Sequence, residues 1–388
     1  MMMRSFIIIL SLCVSVTLAE PKLKFVQAIW RHGARAPGSL PYPNDKNGED
    51  KWTRGWNQLT NDGMRQLKDL GQFFRHRYAG HFLNRTYNVK EIAVLSSDKE
   101  RALVSAQSML YGLFPPASHE RFEEHLPWHP IPVHSNGYGA EDPLLKPTKF
   151  ACPRFDEKVK KVREKFSTQL FSKYSDFFDY LKKVTGYQQI GLDELKTLSE
   201  IGKEIEQSLP QPDWVHKKWP KYQNKTTVEL ITALALEERL TRLSKQELSR
   251  LRGGFLLGDW LKRAEKVVKR KQKKPRKMLL YSSHDGTLQS FLHVLGVADG
   301  IQIPYAGCVI MEIYDDQTVK LLFRHGHKLS PLKVKGCGEK CKVEKLVSVL
   351  EERAIFSLKK LHKECGREFC SEPKPVEVKK QKKKWIFF

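Results

Sequence analysis

The segment KFVQAIWRHGARAP, residues 24–37, joins a nearly continuous apolar run to a loop of charged and small residues. A strand that is buried on both faces has such a run, because neither of its faces meets water. We therefore predict a central strand over residues 24–30. In an open α/β sheet, ligands bind beyond the carboxyl ends of the strands, which is where the charged loop begins. One segment thus predicts both a fold class and the position of a site.

Two further apolar runs end in similar loops. EIAVLSS (residues 91–97) precedes a predicted helix that Asp98 would N-cap and that carries Arg101 in its first turn. KMLLYSS (residues 277–283) precedes another predicted helix start. If the three strands are parallel, their carboxyl ends share one edge of the sheet and their polar side chains share one pocket. The candidate site residues at this edge are Arg31, His32, Arg35, Arg101, His284 and Asp285.

These residue types suit a phosphate group. Guanidinium groups bind phosphate oxygens bidentately, and helix N-termini add backbone donors. Phosphoryl transfer depends mainly on positioning and charge stabilisation, so the arginines make a metal or another cofactor unnecessary. His32 can attack phosphorus through a neutral ring nitrogen, and Asp285 can protonate the leaving alcohol and then deprotonate water. The predicted phosphate-binding groups are Arg31, Arg35, Arg101 and His284.

Beyond these strands, the chain has the pattern of a helical insertion in an α/β domain. Residues 115–153 are Pro-rich and irregular, and the residues that follow, as far as about 270, have mostly helical patterns. CVIMEIYDD and TVKLLFRHG predict a closing antiparallel pair of strands. We therefore predict an α/β fold with a mostly parallel central sheet flanked by helices, and a mainly helical inserted subdomain over about 130–255.

A second Arg-His-Gly occurs at residues 324–326, within that closing pair. It lacks the Arg-x-Pro continuation of the first copy. It also follows a predicted edge strand, where charged residues discourage pairing with other chains. We interpret this second copy as a strand end without a catalytic role.

The net charge of +24 favours anionic partners, and phosphate esters, polyanions and acidic membrane surfaces all fit it. We predict small phosphate monoesters as partners and no nucleic acid. The basic run at residues 266–277 enters the third strand from its amino end, opposite the pocket, and is interpreted as a solvated loop. The histidines at 125, 129 and 134 are separated by prolines and match no metal-ligand spacing, so we predict no metal site.

The ends of the chain predict export. One Arg precedes an apolar run at residues 6–18, and small residues follow it, as in a cleaved signal peptide over residues 1–19. A membrane span needs about 20 apolar residues, so no transmembrane anchor is predicted. We expect a secreted or lysosomal protein with one domain over residues 20–370 and a basic, disordered tail over 371–388. Asn84 and Asn224 lie in sequons for glycosylation. The six cysteines after the signal allow up to three disulfides, whose pairing the spacing leaves open.

The motif Arg-His-Gly-x-Arg-x-Pro at residues 31–37, with a downstream His-Asp, resembles the histidine acid phosphatase family, the acid-phosphatase and phytase branch of the histidine phosphatase superfamily. LTxxGxxQxxxLG (residues 59–71), SSDxxR (96–101) and SSHDGTL (282–288) are similar to that family as well. The resemblance implies the histidine phosphatase fold and hydrolysis of phosphate monoesters through phosphohistidine. It implies His32 as nucleophile and Asp285 as proton donor. A homodimer is a further expectation from the family.

By family position, the resemblance also implies the disulfides Cys152–Cys365 and Cys337–Cys341. The usual partner of Cys308 is missing, so Cys308 either pairs with Cys370 or both are free. The chain has Gly286 where the family usually has Thr, which could lower activity or change the preference for leaving groups.

Two alternatives stay open at this stage. One is a phytase-like or lysophosphatidate-directed phosphatase of the same fold, because a basic pocket rim would accept several phosphates. The other is a catalytically weak protein that binds polyanions through its lysine runs.

Overall fold

The structure, a computed structural model, describes residues 20–243, 245–300 and 302–369. A six-stranded sheet lies at its centre and a two-stranded pair, β3 and β4, lies apart from it. The strands are β1 (Leu23–Arg31), β2 (Ile92–Ser96), β3 (Lys218–Trp219), β4 (Lys225–Thr226), β5 (Met278–Ser283), β6 (Cys308–Tyr314), β7 (Val319–His325) and β8 (Lys328–Pro331). The order across the central sheet is β2-β5-β1-β6-β7-β8.

The three strands that precede the charged loops are parallel neighbours. β5 lies between β1 and β2, and Ser282 of β5 is in register with Trp30 on one side and with Ser96 on the other. The three carboxyl ends therefore share one edge of the sheet, as the sequence predicts. β6, β7 and β8 continue the sheet in antiparallel pairing. The predicted α/β class is confirmed, and its parallel part is the half that carries the motifs.

Helices cover both faces of this sheet. The helices are α1 (Asn61–Tyr78), α2 (Glu100–Leu113), α3 (Pro153–Lys173), α4 (Ser175–Thr185), α5 (Leu192–Leu198), α6 (Ile201–Glu206), α7 (Asp213–His216), α8 (Thr227–Thr241), α9 (Gln246–Val268), α10 (Asp285–Leu295), α11 (Val343–Leu350) and α12 (Leu358–Cys365). Val26 and Trp30 of β1 pack in the core beneath α1 and α2, whereas Phe25 and Ile29 pack in the core beneath α9 and α10. Because both faces are covered, β1 is buried from Phe25 to Arg31.

Helices α3 to α8 form a region with a core of its own. Its apolar cluster includes Phe177, Leu195 and Ile231, and Tyr42 joins it from the loop after β1. The helical pattern over residues 234–268 is divided in the structure, because α8 ends at Thr241 and α9 begins at Gln246. This break lets α8 stay with the helical region while α9 packs against the sheet.

Two local predictions are wrong. Asp98 does not cap α2: the helix begins after Lys99, and the Asp98 carboxylate accepts a hydrogen bond from Ser135 Oγ at 3.1 Å. β7 is not an edge strand, because it pairs with β6 on one side and β8 on the other. The second Arg-His-Gly ends β7, and Gly326, with φ of 55°, starts the turn into β8. The second Arg-His-Gly therefore lies where β7 turns into β8 in a β-hairpin.

The described cysteines form two disulfides, Cys152–Cys365 and Cys337–Cys341, which are the pairings that the resemblance implied. Cys308 is buried in β6 as a free thiol. Cys370, its proposed partner, lies outside the described residues, as do the predicted signal peptide and the basic tail. Asn84 and Asn224 are exposed, and their glycosylation stays a prediction.

The crossing of α1 and α2 requires two glycines. A Cβ on Gly71 would stand 2.0 Å from Met109 O, and a Cβ on Gly112 would stand 2.1 Å from Lys68 O. Backbone carbonyls cannot yield unless a helix moves. We therefore expect Gly71→Ala to lower the free energy of unfolding by about 1–3 kcal/mol, measured by urea denaturation.

Gly202→Ala in α6 is the matched control, because a Cβ at that position meets no heavy atom within 4 Å. Alanine favours a helix over glycine by about 0.5–1 kcal/mol, so this variant should be as stable as the parent protein or more stable. Equal losses in the two variants would contradict the proposed close packing.

Candidate active site

The six predicted site residues line one cleft of about 1020 Å³, which opens between the parallel edge of the sheet and the helical region. They are Arg31, His32, Arg35, Arg101, His284 and Asp285. The loop after β1 reaches this cleft by packing closely on the start of α1. A Cβ on Gly33 would lie 2.3 Å from Gly63 O, so both glycines of this contact are needed for the approach. His32 N donates a hydrogen bond to Ser283 O at 3.0 Å, which ties the loop to the end of β5.

His32 is held as a neutral imidazole with one nitrogen free. Its Nδ1 lies 2.8 Å from Gly33 O, and a carbonyl oxygen can only accept, so Nδ1 carries the proton. The lone pair of the neutral ring is therefore on Nε2. Burial is the largest cause that lowers the pKa of His32, and the charges of Arg31, His284 and Arg101 add to it, so the pKa lies well below its usual range. The ring stays neutral, and hence nucleophilic, in acidic solution.

His284 lies beside His32, with 5.4 Å between the ring centroids. Its Nε2 is 2.7 Å from Ser97 Oγ, and its Nδ1 is 3.5 Å from Arg101 Nη2. Burial, followed by the charge of Arg101, lowers the pKa of His284 to about 3. Because a guanidinium group can only donate, Nδ1 accepts from Arg101 in this structure, and the proton of the neutral ring is on Nε2, facing Ser97 Oγ. Ser97 lies in the SSDxxR motif, whose sequence alone does not indicate this contact with His284.

The three arginines differ in their surroundings. Arg31 lies over the ring of Tyr305, 4.0 Å from its centroid. Arg35 Nη1 donates to Glu200 Oε2 at 3.1 Å. Burial and the nearby charge of Arg35 lower the pKa of Arg101 to about 10. A bound anion would offset this crowding of positive charge.

Asp285 is the first residue of α10, and its side chain is 23% exposed. Gly286 N donates to Oδ1 at 2.8 Å, Arg31 Nη2 lies 4.0 Å from Oδ2, and Arg239 Nη1 donates to the same Oδ2. Burial alone would raise the pKa of Asp285, but the positive charges of Arg239 and Arg31 outweigh it and hold the pKa well below its usual range. In the ligand-free protein this carboxyl group is therefore ionised.

The cleft as a whole is positive. Twelve Lys and Arg residues line it, against six Asp and Glu residues. Lys146 is one of them, and burial together with Lys99 and Arg101 lowers its pKa to about 8. The basic run at residues 266–277 lies outside this lining and leads into the amino end of β5, as predicted. The cleft therefore suits an anionic ligand.

The described ranges contain neither a cluster of metal-binding side chains nor a helix suited to span a membrane. Residues 20–243, 245–300 and 302–369 contain no group of three or more His, Cys, Asp or Glu side chains arranged to hold a metal ion. In the same ranges, no helix has the length and apolar character that crossing a membrane requires.

Comparison with known proteins agrees with this geometry. The family described as "Histidine phosphatase superfamily (branch 2)" matches residues 22–326. The chain belongs to this superfamily. A lysosomal acid phosphatase of Bos taurus is 35% identical to it over 337 residues, which are 85% of this chain and 77% of the relative. A prostatic acid phosphatase of Rattus norvegicus is 33% identical over 360 residues, which are 89% and 90% of the two chains.

Solved structures of two phytases share the fold. A Klebsiella sp ASR1 phytase superposes with a TM-score of 0.63 at 18% identity, covering 87% of this chain and 97% of the phytase. A Hafnia alvei phytase in complex with myo-inositol hexakis sulphate gives a TM-score of 0.64 at 16% identity, covering 86% and 97%. The resemblance to the family and the predicted fold class are thus confirmed.

A pair of carboxyl groups, buried Glu204 and partly exposed Asp45, links the loop after the Arg-His-Gly motif to α6. Glu204 is fully buried and accepts hydrogen bonds from Asn47 Nδ2 at 3.0 Å and Gln211 Nε2 at 2.8 Å. Its side chain also interacts with that of Asp45. Burial, with the charge of Asp45 adding to it, raises the pKa of Glu204 to about 7. Burial, followed by the charges of Asp45 and Glu204, raises the pKa of Tyr42, so this phenol remains neutral.

This pair should make folding stability depend on pH. Between pH 4.5 and 7 the folded chain keeps a proton on Glu204 that the unfolded chain has released, so the free energy of unfolding falls as pH rises through this window. In the parent protein, we expect the free energy of unfolding to fall by on the order of 2 kcal/mol across this window. In Glu204→Gln this fall should be absent. Glu339→Gln, at an exposed position, is the control. Denaturation curves at several pH values test this prediction, and parallel profiles for the parent protein and Glu204→Gln would contradict it.

Proposed function

We propose that this protein hydrolyses small phosphate monoesters in acidic solution through a phosphohistidine at His32, without a metal or other cofactor. The observation that carries the proposal is the state of His32: a neutral ring with Nδ1 bonded to a carbonyl and Nε2 free, in a cleft lined by Arg31, Arg35 and Arg101. A nucleophile for phosphorus needs this free lone pair, and the phosphoryl oxygens need the surrounding cations.

In the first step, Nε2 of His32 bonds to phosphorus while the ester P–O bond breaks. The arginines bind the phosphoryl oxygens. When Arg101 donates to the phosphoryl group and no longer to His284 Nδ1, the Ser97 hydroxyl can donate to His284 Nε2, and Nδ1 can carry the proton and donate to phosphate. Asp285 gives its proton to the departing alkoxide oxygen, and the alcohol leaves. The helix N-terminus at Asp285 also favours an anion beside it.

In the second step, Asp285 removes a proton from a water molecule that attacks phosphorus. The P–N bond breaks, inorganic phosphate leaves, and His32 returns to its neutral state. The same carboxyl group thus donates a proton and then accepts one, which requires that it can change its protonation state during the cycle. A bound phosphate anion offsets the arginine charges around Asp285 and so favours its protonated form.

Acidic conditions fit this cycle, because the carboxyl group must carry a proton before the ester bond breaks. The names of the lysosomal relatives and the pattern of residues 1–19 support secretion or a lysosomal location as part of the proposal. The domain span of residues 20–370, the Cys308–Cys370 pairing and the homodimer stay predictions.

Trapping the intermediate tests the proposal. The purified protein is mixed with p-nitrophenyl phosphate across pH 4 to 8 with and without a chelator, quenched in alkali and mapped by mass spectrometry. We expect phosphate release at acidic pH, no effect of the chelator, and a phosphoryl group on His32. Absence of phosphate release, or a phosphoryl group on another residue, would overturn the proposal.

A further inference from the structure

The partner of Asp285 on the helical side of the cleft is Arg239, in the last turn of α8. The Arg239 side chain is 34% exposed and Asp285 is 23% exposed, so both face the cleft. α8 is held in place at its beginning by a capping box between Thr226 and Glu229. At its end, Glu238 accepts hydrogen bonds from Arg163 and Arg242. The position of Arg239 is therefore fixed by the fold of the helical region.

The titratable and charged groups that interact with Asp285 come from several elements. Arg31 and His32 face it from the end of β1, Arg101 from α2, Glu200 from the turn before α6, and His284 precedes it in the chain. Among the side chains of the described residues, Arg239 is the one that donates a hydrogen bond to its carboxylate. Arg31, the next cation, is 4.0 Å away.

We propose that Arg239 is a positioning residue that fixes the orientation of the Asp285 carboxylate and confines the first step of the reaction to acidic solution. This inference rests on the proposed function, in which Asp285 protonates the leaving group. According to this inference, the ion pair between Asp285 and Arg239 contributes to the acidic pH range in which the enzyme works, although Arg239 of α8 lies outside the sequence motifs.

The physical reason is the competition between a proton and a cation for the same carboxylate. A cation at hydrogen-bonding distance stabilises the ionised form, so Asp285 takes up its proton only at a lower pH than it otherwise would. The first step needs the protonated form, whereas the second step needs the ionised form. Arg239 therefore restricts the first step at higher pH and favours the carboxylate that the second step uses.

The test isolates the first step. Rapid-quench measurements give the rate of phosphohistidine formation from saturating glycerol phosphate as a function of pH, for the parent protein, Arg239→Gln and Arg239→Lys. In the profile of this rate against pH, we expect Arg239→Gln to move the alkaline limb to higher pH by about one pH unit or more. Arg239→Lys keeps the charge on a shorter stem, so its limb should lie between the other two.

The matched control is Arg263→Gln in α9, which removes an arginine from an ion pair with Asp259 outside the cleft lining. Its limb should coincide with that of the parent protein. An unshifted limb in Arg239→Gln, or equal shifts in the Arg239 and Arg263 variants, would overturn the inference. Should Arg239→Gln fail to show cooperative thermal unfolding, Arg239→Met replaces it under the same criteria.

The two proposals fail in different ways. If the parent protein forms no phosphohistidine at any pH, the proposed function fails. If it forms phosphohistidine but the limb is independent of Arg239, only the role of Arg239 is wrong. A purely structural role for Arg239 would lower the rate at all pH values and leave the limb in place.

Discussion

Replacing His32 with alanine is expected to lower the hydrolysis of every phosphate monoester by about 10⁴-fold or more, the size of loss seen when an enzyme loses its nucleophile. The variant has no ring nitrogen to form the covalent intermediate, so no phosphoenzyme should be trapped. Phosphate binding should persist, because Arg31, Arg35 and Arg101 remain in the cleft. Steady-state rates with p-nitrophenyl phosphate and the thermal stabilisation by inorganic phosphate measure the two effects separately.

The chain contains its own control for this variant. His325 belongs to the second Arg-His-Gly, is exposed, and lies at the hairpin turn between β7 and β8. His325→Ala should therefore retain the parent rate. Activity of His32→Ala within tenfold of the parent protein would assign the nucleophile to another residue. Loss of both activity and phosphate stabilisation would mean that the variant has lost the cleft and not only the nucleophile.

The parallel half of the sheet could be predicted because its signal is local. β1 and β5 are buried on both faces, so their sequences are continuous apolar runs, and the charged residues that follow mark the carboxyl ends. The cap of α2 could not be predicted in the same way. Asp98 is a favourable N-cap residue, but its carboxylate bonds to Ser135, 37 residues later, and that contact exists only in the folded chain.

The site also contains residues that local sequence predicts and residues that it does not. Its motif residues follow strands, so one rule about sheet edges brings them together. The contacts of Ser97 and Arg239 cannot be predicted from local sequence, because their partners, His284 and Asp285, are 187 and 46 residues away. An arginine on the polar face of a helix is ordinary, and α8 shows no local pattern that separates Arg239 from its neighbours. The packing of α8 over the cleft decides its role.

Replacing Asp285 with asparagine should slow the hydrolysis of an alkyl phosphate by about 10²–10⁴-fold, because an amide supplies no acid proton. p-Nitrophenyl phosphate should lose much less in the first step, since its leaving group departs as a stable anion. The second step loses its base with either substrate. Phosphohistidine should therefore accumulate when the variant is given p-nitrophenyl phosphate, and quenched-flow trapping measures it.

Although Asp285→Asn should hydrolyse esters more slowly, it should bind inorganic phosphate more tightly. The substitution removes a negative charge from the cleft and frees Arg239 and Arg31 from their shared carboxylate, so inorganic phosphate should inhibit Asp285→Asn at lower concentrations than the parent protein. Asp259→Asn is the control: it breaks a similar pair, in which Arg263 lies 2.8 Å from Asp259 and both residues are outside the cleft lining. This variant should change neither the rate of hydrolysis nor the inhibition by inorganic phosphate. Equal losses for the alkyl and aryl substrates, without accumulated phosphohistidine, would mean that the proton of the leaving group comes from a group other than Asp285.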